Sequence, residues 1–189
     1  HRPDDDWNYV LWATMSDWSK AGGLQAGFEK MFAGMTPEKM MENQKAYQEA
    51  TVEGSHHDWV VQGLVYRVSE TAPAPRYLYV GFHQALPDKD GAVTEFYTKH
   101  VAPIYEKLLA EGVISGYGLD VQALHGEPGW SHYGWYTMAD LGAMDTVAKA
   151  LESGLGEAQM AEAMTLMDRA AHSDRLMLIV HMGGMPTGN

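Results

Sequence analysis

The residues WSHYGWYTMADL, 130 to 141, have a near twin in WNYVLWATMSDW, residues 7 to 18. The two stretches align without a gap at a constant offset of 123, pairing Trp7 with Trp130, Trp12 with Trp135, Thr14 with Thr137, Met15 with Met138 and Asp17 with Asp140. A second correspondence, at an offset of 116, pairs His56 and Asp58 with His172 and Asp174. Self-similarity at a fixed spacing means that one supersecondary unit is used twice. A chain of this kind is restricted to folds assembled from two like halves.

The later half reads as a full unit. Residues 77 to 85 predict a strand. ALPDKDG is a loop, and Asp90 is placed to cap a helix that Gly112 ends. Strands follow at 114 to 124 and 130 to 138, then a helix capped by Asp140 that runs through 151, a helix at 156 to 171 and a last strand at 175 to 182. The order β-α-β-β-α-β is that of the split βαβ unit, an antiparallel sheet with helices on one face.

The earlier half holds less. Residues 7 to 15 predict a strand, Thr36-Pro37 opens a helix that runs to about Val52, and residues 57 to 68 predict a second strand. The offset places its first strand on the third strand of the full unit, so two strands and a helix that should precede it are expected upstream of His1 or from another chain. The expected organisation is a partial β-α-β repeat over residues 1–70, a proline-rich linker TAPAPR at 71–76 and a complete repeat over 77–189.

Two consecutive split βαβ units, with the phrase FYTKHVAPIYEKLLAEGVISGYGLDVQALH leading from the first helix into the second strand, resemble the dimeric α+β barrel superfamily. Its members include antibiotic-biosynthesis monooxygenases, EthD-like proteins and stress-responsive barrel proteins. The resemblance implies an α+β fold in which ferredoxin-like repeats, here one complete and one partial, pack sheet to sheet as a barrel. It also implies small ligands bound inside the barrel or between sheet and helices.

Composition narrows the partners. The net charge is −12, from 25 acidic residues against 13 Lys and Arg. The bases never cluster, so phosphate-backbone recognition has little to work with and nucleic acid is excluded as the expected partner. No apolar run approaches the roughly 20 residues of a membrane span, which predicts a soluble protein, either cytoplasmic or exported after processing. Cysteine is absent. The nine histidines form no H-E-x-x-H or comparable ligand spacing, and neither a Walker loop, G-x-G-x-x-G nor G-x-S-x-G occurs. No metal and no cofactor are expected from motif.

Strand parity proposes a site. If Leu78, Val80 and Phe82 face the helices, Tyr77, Tyr79, Gly81 and His83 face the barrel interior. By the same alternation Tyr117, Leu119 and Val121 lie under helices while Gly118, Asp120 and Gln122 face inside, and Met177, Ile179 and His181 oppose Leu176, Leu178 and Val180. The strand at 130 to 138 is mixed on both faces, so either His132 or Trp135 joins the interior. An interior carboxylate loses hydration and gains basicity, and Tyr or His can donate to a developing oxyanion. Asp120, His83 and His132 are therefore the candidate catalytic residues, with Tyr79, Gln122, His181 and Trp135 as ligand-binding residues. The bland alternative for Asp120 is a paired structural carboxylate, and for His83 and His181 a rim position. His100 lies at the edge of a helical apolar stripe, and Pro103 should bend or restart that helix.

Two function classes follow. One is a small-molecule enzyme, a cofactor-independent oxygenase or an isomerase acting on an aromatic or polyketide-like compound. The other is a non-catalytic protein that binds ligand or assembles, as a homo-oligomer, through exposed sheet edges.

Overall fold

The computed structural model describes residues 10–180 apart from 13, 16, 21, 22, 24, 25, 27–29, 31, 51–58 and 125–128. The chain divides into two units, one ending at residue 58 and one beginning at Trp59.

Among the described residues of the first unit, a 3-10 turn, Trp18–Lys20, and helical residues at 23, 26, 30 and 32 precede helix α1, Pro37–Ala50. The predicted start of α1 holds in detail: Thr36 Oγ1 accepts from the Lys39 amide at 3.3 Å, and Pro37 occupies the first helical position, where its missing N–H costs nothing. Met40, Met41 and Tyr47 are exposed on this helix. Of the strand expected over 7 to 15, residues 7–9 and 13 lie outside the described residues. Val10, Leu11, Trp12, Thr14 and Met15 carry no strand.

The second unit is built on a five-stranded antiparallel sheet of α+β class. Its strands are β1 (Val61–Val68), β2 (Tyr77–Ala85), β3 (Gly116–Gln122), β4 (His132–Met138) and β5 (Met167–Leu178), in the order β1-β3-β4-β2-β5. Residues 69–76, which include the proline-rich stretch, are irregular. β1 pairs along β3, with a bulge between Gly63 and Val65.

Between β2 and β3 the chain is helical from Asp90 to Ala110, but in three parts. These are α2 (Asp90–Phe96), a π turn (Tyr97–Val101) and α3 (Ala102–Ala110). Pro103 explains the wide turn, because a proline inside a helix removes one amide donor and collides with the carbonyl four residues earlier. Gly112 ends α3 with φ 70, a left-handed conformation that glycine adopts without strain. Asp90 does not cap: the N-cap is Lys89 with no side-chain bond, and Asp90 is the first helical residue. Asp140 instead accepts the Gly142 amide at 2.7 Å just before α4 (Ala143–Gly154).

The helix expected over 156 to 171 is shorter. Helix α5 is Glu157–Leu166, and β5 begins at Met167 rather than at Arg175. Pairing of Met167 with Ala85 and of Asp168 with Gln84 supplies the ladder that overrides the helical preference of MDRAA.

The sheet has an apolar layer on each face. Under the helices Tyr97, Tyr105, Leu108, Ile114, Tyr117, Leu119, Tyr136, Met138 and Val147 form the main core. On the opposite face Val80, Phe82 and Tyr133 pack with Trp59, Leu78, Trp130, Trp135 and Met177. The expected parity of β3 is the observed one, and that of β2 is inverted. Leu78, Val80 and Phe82 lie away from the helices, and Tyr77 and Tyr79 lie beneath them. The register with β4 decides it, since Tyr79 stands opposite Tyr136 and Val80 opposite Trp135.

Candidate functional site

Because β2 is inverted, the residues singled out in the sequence separate onto two faces of one sheet. Asp120, Gln122 and Trp135 lie on the face away from the helices, whereas Tyr79, His83 and His132 lie on the helix face. His181 lies outside the described residues.

On the first face, the Trp135 indole lies across Gly118. A Cβ at Gly118 would meet ring atoms of Trp135 at 2.6 to 2.7 Å, so this close approach requires glycine. Trp135 Nε1 donates to Asp120 Oδ2 at 2.5 Å, and Tyr133 also bonds the carboxylate. Burial raises the Asp120 carboxyl to about 6, and the two donors offset only part of that rise. The candidate base thus has the expected displaced acidity and is at the same time held by two partners.

On the helix face, three histidines stand side by side across three strands. His132 of β4 is opposite His83 of β2, and the His83 ring stacks on His172 of β5 with centroids 4.7 Å apart. His172 Nε2 lies 3.2 Å from Asp174 Oδ1, and Tyr79 Oη donates to the same carboxylate oxygen. A Cβ built on Gly81 would sit 3.3 Å from Tyr79 Oη and 3.4 Å from both Asp174 Oδ1 and His83 Nε2, so these polar atoms converge closely over the glycine. The Tyr79 ring stacks on Tyr136 at 4.8 Å.

Electrostatics separates the roles. Burial, reinforced by His172, lowers His83 to about 4, against a smaller opposing pull from Asp174, so its imidazole is neutral near pH 7. His132 is lowered as well, by burial against a weaker opposing effect of Asp90. His132 is 1% exposed, its Nδ1 is 2.8 Å from Ser131 Oγ, and among the described residues its Nε2 has no hydrogen-bond partner. Burial and the bond to Asp174 raise Tyr79, which stays a phenol. The carboxylate beside His172 Nε2 favours the proton on that nitrogen and leaves Nδ1 as the acceptor, an arrangement in which one group orients a base.

His172 and Asp174 are the members that sequence reasoning did not nominate. Their signal was the His-x-Asp pair repeated at 56/58 and 172/174, which the predicted helix end concealed. His56 and Asp58 lie outside the described residues. Among the described residues no group of three or more His, Asp or Glu is placed to hold a metal ion. No protein-family model matches the chain, and no curated protein or solved structure matches it.

Proposed function

We propose that this chain is a small-molecule-binding α+β barrel protein of the split βαβ kind, with its ligand site on the helix face of β4, β2 and β5. The order β3-β4-β2-β5, with helices between β2 and β3 and between β4 and β5, supports the ferredoxin-like reading of the later half. The observation that carries the site is the convergence of Tyr79, His83 and Asp174 over Gly81, beside His132 of the neighbouring strand, whose Nε2 has no partner among the described residues. Buried polar atoms are as a rule paired, so an unpaired one beside this cluster marks polarity that packing of the described residues does not account for.

The chemistry this arrangement suits is proton transfer, as in an isomerase or a cofactor-independent oxygenase acting on an aromatic or polyketide-like compound. His172 Nδ1, oriented through Asp174, takes a proton from the bound molecule. The N–H of the neutral His83 polarises the oxygen on which charge develops, and Tyr79, whose proton is given to Asp174, holds that carboxylate in place. Metabolite capture by native mass spectrometry, followed by turnover assays on the captured compound, tests this. The expected result is a captured compound whose binding falls at least tenfold in His83→Gln. Capture unaffected by His83→Gln and by His172→Gln removes the site.

A second reading, assembly through sheet edges, is favoured by two features. The edge strand β1 exposes Leu64, Tyr66 and Val68, and the other edge is the twelve-residue β5. Light scattering across a concentration series tests it: a mass that rises with concentration supports pairing of edges, and a constant monomer mass opposes it.

A further inference from the structure

The helix face of β5 changes character along its length. His172, Asp174, Leu176 and Leu178 alternate onto one side of the strand, so a polar end passes into an apolar end over about 14 Å from Asp174 to Leu178. The neighbouring residues of β2 follow the same gradient, with Gly81 opposite Asp174, Tyr79 opposite Leu176 and Tyr77 opposite Leu178. Leu176 and Leu178 are 49% and 59% exposed, although they share a face with the buried core under the helices. The helices leave this strip open.

Two carboxylates stand beside the histidines at the polar end. Asp174 is met by Tyr79 and His172, both on Oδ1, and no Lys or Arg among the described residues pairs with it. Asp90 adds a second carboxylate 3.9 Å from His132 Nδ1. Arg76 lies over the Tyr77 ring, at the apolar end, with 5.7 Å to the centroid. Arg175 springs from the other face of β5 and turns its guanidinium to the Asp174 main-chain oxygen. The whole chain, at −12, also draws cations and repels anions at long range. The hydrogen bonds point the same way. Tyr79 uses its proton on Asp174, the second oxygen of Asp174 is engaged by neither contact, and His83 is a neutral imidazole able to accept. The polar end offers acceptors.

We infer that this strip binds a protonated primary amine carried on an aryl or alkyl body, with the ammonium between Asp174 and His83 and the apolar body along Leu176 and Leu178. The inference rests on the small-molecule site proposed above and adds the class of its ligand. An ammonium supplies the donors that Asp174 and His83 lack, its charge is matched by carboxylates at one end, and its body covers two leucines that otherwise face water.

Calorimetric titration of the intact protein with 2-phenylethylamine, 2-phenylethanol and phenylacetate tests the class, because the three probes share a body and differ in charge. The amine is expected to bind at least tenfold more tightly than the alcohol, and phenylacetate more weakly still. Asp174→Asn should abolish that preference, while Asp145→Asn, which removes an exposed carboxylate on α4, should keep it. Leu176→Ser should weaken the amine several-fold. Melting curves of each variant show that it is folded, and the comparison of the three probes on the native protein needs no variant. Equal binding of amine and alcohol overturns the inference but leaves the small-molecule site standing if His83→Gln abolishes both. Tighter binding of phenylacetate also overturns it. So does failure of the amine to bind, and metabolite capture then judges the broader proposal separately.

Discussion

At the scale of single residues, two buried groups pull stability in opposite directions as pH changes. Asp120 titrates at about 6 when folded against 3.8 in a model peptide, so between those values the folded chain holds a proton that the unfolded chain has released. Its contribution therefore grows as pH falls from 6 toward 4, by on the order of 1–2 kcal/mol. His83 does the reverse. Its folded value of about 4 lies below 6.5, so the unfolded chain binds the extra proton and stability is lost as pH falls from 6.5 toward 4. Urea unfolding at a series of pH values separates them. His83→Gln should gain stability as pH drops through this window, and Asp120→Asn should lose it more steeply than the native protein. Matching profiles in all three proteins would contradict both assignments. The displaced acidity of Asp120 was legible in the sequence, because a carboxylate alternating with apolar strand residues loses hydration wherever the sheet is covered. Its two donors were not, since Trp135 and Tyr133 come from another strand and their face was undecided. The histidine row was half legible, through His83 and His132.

Among the elements, β2 marks the limit of pattern reading. Alternation fixes which residues share a face, and it fixes the direction of that face only when one side is polar. β2 carries large apolar or aromatic residues on both sides and only His83 marks one of them as polar, so cross-strand register with β4 made the choice and inverted the expectation. β3, which carries glycine, an acid and glutamine on one side, was read correctly. The order of strands and helices in the later half was legible from its short strand-forming runs and from the glycine stop at Gly112, whereas the expected cap at Asp90 is not formed. The start of β5 was hidden because its first residues favour a helix in isolation. Gly118 tests how tightly the two central strands fit. Gly118→Ala places a methyl inside the Trp135 ring, which should cost about 1–3 kcal/mol and break the bond to Asp120. Denaturant unfolding measures the first effect and indole fluorescence the second. Native stability with an unchanged Trp135 environment would mean that the ring does not lie on Gly118. Gly81→Ala probes the other face. The added Cβ should push Tyr79 and His83 apart and weaken ligand binding more than stability, as paired binding and melting measurements would show.

For the molecule as a whole, the acidic charge and the scattered bases match the absence of any described helix long and apolar enough to cross a membrane. The account centres on one claim: the ligand site lies on the helix face, at the histidines of β4, β2 and β5, and not at Asp120 across the sheet. Side-chain NMR of the protein with selectively labelled histidine and tryptophan, recorded before and after addition of a bound small molecule, separates the two faces most directly. The ring signals of His83, His132 and His172 should shift while the Trp135 indole stays fixed. A shift of Trp135 with the three histidines unmoved would contradict the account.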